Sequence, residues 1–279
     1  MKWQMGSSGR NVEDRRGMRM MGGGGFGRIG IGGVVVLLVL SVVFKQDFLS
    51  LAGGGGGGQV IEGPVQSTPA EDSLKGFITF VLNDAQAAWA RILPEQAQTS
   101  YQDARLVLFR DAVESGCGSA SAATGPFYCP ADQRIYIDLG FYDELSSRFG
   151  APGDFAQAYV LAHEIGHHVQ NLLGTAGRVR QMEEQRPDQA NALSVRLELQ
   201  ADCYGGLWAN TTRDRNLLDP GDIEEGLGAA ASVGDDRIQR MGGQAVNPES
   251  WTHGSAQQRE EWFRRGYAGG SVESCNTFR

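Results

Sequence analysis

Histidine and cysteine are both scarce in this sequence, with four of each among 279 residues. Basic residues are also in the minority, because 25 Lys and Arg stand against 33 Asp and Glu and give a formal net charge of −8. Binding to a phosphate backbone needs clustered cations, so this composition argues against a nucleic-acid partner. No internal repeat is present apart from two glycine tracts, 22–25 and 53–58, which predict linkers and not a fibrous protein.

Long apolar runs are equally rare, and one stands out near the N-terminus. Residues 29–44 (IGIGGVVVLLVLSVVF) contain no charge. As a helix they would be about 24 Å long, a little shorter than the hydrocarbon core of a bilayer, which is roughly 30 Å thick. We predict a single transmembrane anchor over residues 29–46, preceded by a disordered, basic, cytoplasmic tail (1–28) and followed by a Gly-rich linker (47–70). Six cations before the anchor favour a cytoplasmic N-terminus and an extracytoplasmic (periplasmic) body attached to the cytoplasmic, or inner, membrane.

Two other interpretations of this run stay open. It could be a buried core element, although the flanking tail and glycine tract give it little to pack against. It could also belong to a signal peptide cleaved after Ala52, because Ser50 and Ala52 are small residues at the expected positions. Lys45 and Asp47 lie between the run and that site, which disfavours cleavage.

The remaining residues, 71–279, form the body, and their patterns predict an α+β fold that is mostly helical with a small N-terminal sheet. Alternating apolar residues predict strands at 104–113 and 133–139. Amphipathic spacing, caps and prolines predict helices at 74–93, 154–173, 187–211, 220–241 and 257–267. We expect Pro94 to stop the first of these helices.

Three of the four histidines fall within six residues, in the segment VLAHEIGHHVQNLLG. His163 and His167 are separated by four residues, so they lie one above the other on a helix face and can bind one zinc ion. Glu164 is turned about 100° away, which places its carboxylate where it can act on a water molecule at the metal. His168 is rotated away from His167, and we expect it to be a solvent-exposed or supporting group and not a ligand. Gly166 predicts a close approach of another backbone.

A catalytic zinc ion needs a third protein ligand and an open position. The extended three-histidine motif is absent here, because Gln170 and Gly174 follow His167 in its place. Glu198, in the segment RLELQADCYGG, is the candidate third ligand. Asp202 lies one turn further along the same helix, where it can accept a hydrogen bond from a ligand imidazole.

With these motifs, the chain resembles the gluzincin metallopeptidases, and more specifically the bacterial neutral zinc metallopeptidases of the YpfJ type. The resemblance extends over almost the whole chain and includes GPFYCPADQRIYIDLGFYDEL, HEIGHHVQ, ELQADCYGG, GDDRIQ and THGSAQQR. It implies that residues 71–279 are a zincin-like zinc metallopeptidase domain with Zn²⁺ as cofactor and a peptide or protein as substrate. It also implies that His163, His167 and Glu198 are the ligands and that Glu164 is the general base. In zincins an edge strand pairs with the substrate, and the strand at 133–139 is the candidate for that role here; an ordinary sheet strand is the alternative.

The segment SWTHGSAQQR is similar to the T-H-P…R segment of the CAAX-type peptidases, with Gly254 in place of the proline. The resemblance implies that His253 stabilises negative charge in the transition state and that Arg259 pairs with Asp202. The alternative is that His253 caps the last helix and Arg259 is a surface charge.

The cysteines are an even number in a body predicted to be exported, which favours two disulfides. Cys117 and Cys129 bracket one loop, so we predict a local disulfide there and a second one between Cys203 and Cys275. Free buried thiols are the alternative, whereas the spacings do not support zinc ligation and no C-x-x-C motif is present.

The sequence therefore predicts a membrane-anchored, zinc-dependent endopeptidase. The alternative is a non-catalytic, zinc-stabilised interaction module tethered to the membrane; structural zinc sites, however, are usually closed and rich in cysteine. An intramembrane protease is excluded, because the helix with the histidines also carries Asp154, Gln157 and Gln170 and is not an apolar span.

Overall fold

The computed structural model describes residues 1–4, 9–20 and 60–278. The predicted anchor at 29–46 lies outside these residues, and so does the part of the predicted linker up to residue 59. Among the described residues, no helix combines the length and the apolar character that a membrane crossing requires.

The body contains eight α-helices and a central sheet among the residues that the structure describes. The strands are β1 (Val12–Asp14), β2 (Met18–Met20), β3 (Val60–Glu62), β4 (Arg105–Phe109), β5 (Ala112–Ser115), β6 (Gly118–Ser121), β7 (Phe127–Cys129) and β8 (Arg134–Asp138). The helices are α1 (Pro69–Ala97), α2 (Gly140–Ser147), α3 (Asp154–Leu172), α4 (Thr175–Gln185), α5 (Ala190–Asp214), α6 (Asp222–Ser232), α7 (Asp235–Met241) and α8 (Ala256–Gly269). The α+β class, mostly helical with a small sheet, is therefore confirmed.

The central sheet has the strand order β1-β4-β8-β7. Strands β1, β4 and β8 are parallel, and β7 is antiparallel to β8. The main core lies between the sheet and the helices, while a smaller cluster that includes Val107, Phe109 and Tyr136 covers the other face. Strand β8 is therefore an internal strand buried on both faces, and the expectation of an edge strand at 133–139 is wrong.

The N-terminal residues differ from the expectation of a disordered tail over residues 1–28. The Leu106 amide donates to the Asn11 carbonyl oxygen (2.8 Å) and the Arg15 amide donates to the Leu108 carbonyl oxygen (2.7 Å), so β1 is hydrogen-bonded to β4. Trp3 packs against the Phe77 ring with a centroid distance of 5.4 Å. The pairing partner is far away in the chain, and for that reason no local pattern predicted it.

The β1–β4 pairing has a consequence for the predicted topology. Met1–Arg15 and Ser67–Arg279 form one compact unit, whereas a single crossing at 29–46 would place Val12 and Leu106 on opposite sides of a membrane. The arrangement with a cytoplasmic tail and an extracytoplasmic body is therefore incompatible with this sheet. Arg16–Gln66 form a second unit, in which β2 and β3 pair antiparallel.

Helix α1 is longer than predicted at both ends. Thr68 caps its N-terminus in a reciprocal capping box with Glu71, and Pro69 occupies an early position where its missing N–H costs nothing. Pro94 does not stop the helix, which continues to Ala97 before Gln98 adopts a left-handed conformation. Within the predicted helix at 220–241, Gly234 is extended (φ −68°, ψ 139°) and separates α6 from α7.

Helices α3 and α5 cross closely, and this crossing positions the predicted metal ligands. A Cβ atom at Gly166 would lie only 2.8 Å from the Ala201 carbonyl oxygen, so only glycine permits this distance. The close approach expected at Gly166 is therefore present. Gly206 and Gly266 permit a similarly close contact between α5 and α8, the helix that carries Arg259.

Candidate metal centre

Two histidines from α3 and one glutamate from α5 converge on a single point. The Nε2 atoms of His163 and His167 are 3.1 Å apart. The Glu198 carboxylate lies 3.1 Å from the His163 Nε2 atom and 3.3 Å from the His167 Nε2 atom. The structure thus brings together the three residues that are predicted from the sequence to be ligands.

Hydrogen bonds on the far side of each ring determine which nitrogen faces that point. The His163 Nδ1–H donates to the Asp202 Oδ1 atom at 2.8 Å, because a carboxylate can only accept. The His167 Nδ1–H donates to the Gln170 Oε1 atom at 2.9 Å. The Gln170 amide N–H in turn donates to the Leu197 carbonyl oxygen at 2.6 Å, which fixes its orientation. Both Nε2 atoms therefore face the Glu198 carboxylate.

This geometry fits a zinc ion. Zinc–nitrogen and zinc–oxygen bonds of about 2.0–2.1 Å in a tetrahedron separate neighbouring ligand atoms by roughly 3.3 Å. The two Nε2 atoms are 3.1 Å apart, and the Glu198 Oε2 and Oε1 atoms lie 3.1 and 3.3 Å from the Nε2 atoms of His163 and His167, so each of these separations is close to that value. Two imidazoles and one carboxylate are also a typical donor set for catalytic zinc.

The electrostatics of the group favour a cation at this point. Burial opposes the charged form of Glu198, but His167 and His163 outweigh it and hold the pKa of this carboxyl well below its usual range. Burial also acts to lower the pKa of His163, yet Asp202 and Glu198 overcome it and raise that pKa to about 10. The carboxylates around these imidazoles therefore favour a positive charge at this point, and a metal ion that binds there displaces protons.

Glu164 is buried beside the ligands, and burial raises the pKa of its carboxyl. Together with the three ligands it lines a cavity of about 760 Å³. Other walls of this cavity come from β7 and from helices α2, α4 and α7. The arrangement is therefore an open site and not a closed structural one.

Asp202 and Arg259 form a buried ion pair behind His163. The Arg259 Nε–H and Nη2–H donate to the two carboxylate oxygens at 2.8 and 2.9 Å. Burial acts to raise the pKa of Asp202, but Arg259 and His163 outweigh it and the pKa is lowered. Arg259 is 3% exposed, so the alternative of a surface charge is wrong.

Two supporting residues were missed in the sequence. Tyr159 donates its hydroxyl proton to Asp202 and accepts from the Arg259 Nη2–H at 3.2 Å. In the sequence, Gln170 indicated a departure from the three-histidine motif and a polar position on the helix, but not a contact with His167. Spacing could have identified both residues, because positions three or four apart are neighbours on a helix surface. Tyr159 precedes His163 by four residues, and Gln170 follows His167 by three.

His253 lines the same cavity and is half exposed. Its Nδ1 atom lies 3.3 Å from the Asp235 Oδ1 atom, and the backbone N–H of His253 donates to Asp235 Oδ2 at 2.6 Å. Ser255, and not His253, caps α8, so the capping alternative is wrong. The position of His253 is compatible with contact to a substrate in the cavity.

His168 points away from the metal site and is fully buried. Its ring contacts the Gln102 carbonyl oxygen and the Tyr128 hydroxyl, neither of which belongs to a candidate metal ligand. The expectation of solvent exposure is wrong. Burial lowers the pKa of this imidazole.

Both predicted disulfides are present. Cys117 is bonded to Cys129 at the end of β7, and Cys203 is bonded to Cys275. The second disulfide joins the C-terminal segment to α5 at the residue after Asp202.

A second carboxylate group, formed by Asp154, Asp222 and Glu225, has a geometry that could hold a metal ion. The Met1 ammonium group lies 3.0 Å from Asp154 and 3.2 Å from Asp222. A positive charge is therefore already paired with two of these three acids, and we do not assign a metal to them.

The comparisons with known proteins agree with the site. Residues 1–278 match the family model described as "Putative neutral zinc metallopeptidase". The chain is 43% identical over 286 residues to "Uncharacterized protein YpfJ" of Escherichia coli K12, covering 100% of this chain and 99% of the relative. It is 45% identical over 207 residues to "Uncharacterized protein Rv2575" of Mycobacterium tuberculosis H37Rv, covering 70% of this chain and 68% of the relative. No solved structure matches the chain.

Proposed function

Because the chain belongs to this family of neutral zinc metallopeptidases, we propose that it is a zinc-dependent endopeptidase that cleaves a peptide or protein substrate. The observation that carries the proposal is the convergence of His163, His167 and Glu198 on one point that opens into a cavity beside the Glu164 carboxylate. A zinc ion held by these three residues would polarise the scissile carbonyl group and acidify a water molecule.

Glu164 acts as the general base in this proposal. Its carboxylate accepts a proton from the attacking water and returns it to the leaving amine of the substrate. Burial raises the pKa of Glu164, which makes the carboxyl a better base than an exposed glutamate.

The residues behind the ligands keep the imidazoles in the binding orientation. Asp202 holds the His163 ring, and Arg259 and Tyr159 hold Asp202. Gln170 has the same role for His167. Such supporting hydrogen bonds fix the tautomer of a ligand histidine and strengthen metal binding.

Strand β7 replaces the strand at 133–139 as the candidate for substrate pairing. It is the terminal strand of the central sheet, no further strand pairs with it among residues 60–278, and Phe127 and Tyr128 line the cavity. An extended peptide can add to such an edge through main-chain hydrogen bonds. In this position the substrate would pass over the α3 histidines.

His253 is proposed as a donor to the negatively charged oxygen of the transition state. The Asp235 carboxylate accepts hydrogen bonds from the backbone N–H groups of residues 252, 253 and 254 at 2.8, 2.6 and 3.0 Å. Asp235 therefore fixes this loop at the cavity wall, while the half-exposed imidazole can approach a substrate.

We propose an extracytoplasmic location with attachment to the membrane through residues 29–46. The two disulfides support an oxidising compartment, and the uncharged run at 29–44 supports attachment. Because β1 pairs with β4, the N-terminal residues belong on the same side of the membrane as the body.

Metal analysis combined with cleavage of a panel of denatured proteins tests the proposed function. We expect the wild type to bind one zinc ion and to cleave, and the Glu164→Gln variant to bind zinc without cleaving. A zinc-loaded wild type that cleaves nothing would favour the alternative of a non-catalytic, zinc-stabilised module. Cleavage that survives in Glu164→Gln would remove Glu164 as the base.

A further inference from the structure

The third histidine of the HEIGHH segment joins the metal-ligand helix to the edge of the sheet. The His168 Nε2 atom lies 2.6 Å from the Gln102 carbonyl oxygen, and its Nδ1 atom lies 3.0 Å from the Tyr128 hydroxyl oxygen. The Asn171 side-chain amide donates to the same hydroxyl oxygen at 3.2 Å. These contacts connect α3 directly to the middle residue of β7.

The proton positions in this network follow from the groups themselves. A carbonyl oxygen can only accept, so the His168 Nε2 atom carries a proton and donates it to Gln102. The Nδ1 atom of the neutral ring is then an acceptor, and the Tyr128 hydroxyl donates to it. The Asn171 amide donates to the oxygen of that hydroxyl, so each polar group in the network is defined as a hydrogen-bond donor, an acceptor or both.

Packing fixes the same ring from two sides. The His168 ring is perpendicular to the Tyr101 ring and steeply inclined to the Tyr128 ring, with centroid distances of 5.5 and 5.3 Å. Phe127 and Cys129 contact the cluster on the outer face of the sheet, whereas Tyr128 contacts the main core. Because neighbouring side chains of a strand point to opposite faces, Tyr128 is the β7 residue placed to bind α3.

We propose that His168 is a positioning residue that, through Tyr128, fixes the distance between β7 and the helix that carries the metal ligands. This role rests on the proposed function, in which a peptide pairs with β7 and is cleaved over α3. A substrate aligned on the strand reaches the metal site in the correct position only if that distance is constant, and small displacements of reacting groups are costly.

Amide hydrogen exchange of residues 127–129 in the zinc-loaded protein tests the connection without using activity. We expect Tyr128→Phe and His168→Leu each to increase exchange at these amides by about tenfold, as expected for the loss of one hydrogen bond. The double variant should add little to the larger of the two single effects, because the bond between Tyr128 and His168 is lost in both variants. Each change also removes one bond of its own, from Asn171 to Tyr128 or from His168 to Gln102. His168→Gln should stay close to the wild type, since an amide supplies both an acceptor and a donor.

Tyr101→Phe is the matched control. It removes a tyrosine hydroxyl from a ring that packs on His168, but Tyr101 precedes β4 and is not part of β7. We expect wild-type exchange at 127–129 in this variant. An unchanged exchange rate in both Tyr128→Phe and His168→Leu, or strictly additive effects in the double variant, would overturn the proposal.

Kinetics then separate this inference from the function on which it rests. We expect His168→Leu to lower kcat/KM about tenfold for a long peptide with unchanged zinc content, His168→Gln to restore it, and cleavage of a blocked dipeptide, too short to pair with the strand, to be unaffected in both variants. If the wild type cleaves no peptide, the proposed function fails and this role fails with it. If the wild type cleaves and His168→Leu does not distinguish long from short substrates, only the positioning role fails.

Discussion

Arg259 and Asp202 make a two-point ion pair directly behind His163, with 2.8 and 2.9 Å between their charged atoms. Both side chains are almost fully buried. Asp202 also accepts from His163 Nδ1–H, so the ion pair determines the orientation of a residue that the metal site needs. A contact made by α8 is thereby linked to metal affinity at α3.

This link predicts that Arg259→Ala weakens zinc binding by about 10–100-fold, as losses of supporting hydrogen bonds do at other zinc sites. Competition with a chelator of known affinity measures the effect. Arg264→Ala is the control, because Arg264 is exposed on the same helix and its loss should leave zinc affinity unchanged. Wild-type affinity in Arg259→Ala would contradict the role given to this ion pair.

The crossing of α3 and α5 at Gly166 gives a prediction about stability. In Gly166→Ala the new methyl group would lie 2.8 Å from the Ala201 carbonyl oxygen, so the helices must separate. We expect a loss of about 1–3 kcal/mol in the free energy of unfolding together with weaker zinc binding, measured by urea denaturation and metal titration.

Gly177→Ala is the matched control for this prediction. Gly177 lies inside α4, and a Cβ atom there would meet nothing within 4 Å. Alanine should therefore raise the free energy of unfolding by about 0.4–1 kcal/mol, because it reduces the freedom of the unfolded chain. Equal changes in the free energy of unfolding for the two substitutions would contradict the claim that the close crossing of α3 and α5 requires glycine at position 166.

The candidate ligand residues could be predicted because they depend on spacing within single helices. His163 and His167 share one face of α3, and Glu198 and Asp202 share one face of α5. Gly166 further indicated that a second backbone approaches α3, and the structure places α5 there. Local periodicity was therefore sufficient to select the candidate ligands, which the structure brings together as a group that could hold a metal ion.

The remaining features depend on contacts between distant parts of the chain. The pairing of Val12 with Leu106 joins residues with no common local pattern. The position of β7 at the sheet edge, and not of the strand at 133–139, depends on strand order, which alternation within one strand does not determine. His168 was expected to be a solvent-exposed or supporting group, and its partners Gln102 and Tyr128 are known only from the fold.

The two disulfides should differ in their reactivity toward reductant. Cys203 and Cys275 are both fully buried, whereas Cys117 is exposed. Since exchange begins with attack of a thiolate on an accessible sulfur, limiting reductant should open Cys117–Cys129 first. Alkylation of the released thiols followed by peptide mapping measures the order, and simultaneous opening of both bonds would contradict it.

Replacement of Cys203 and Cys275 by serine should lower the free energy of unfolding by about 2–4 kcal/mol.

The β1–β4 pairing makes the membrane topology testable. We expect single cysteines at the exposed positions Arg10 and Arg237 to react equally with a membrane-impermeant maleimide in cells whose outer envelope has been permeabilised. The reason is that β1 is hydrogen-bonded to β4, so residues close to β1 must lie on the same side of a membrane as the body. Lysed cells give the total labelling of each variant and control for differences in reactivity. Protection of the cysteine at position 10, with full labelling at position 237, would support the single crossing predicted from residues 29–46. In that case β1 would have to leave the sheet in the membrane-bound protein.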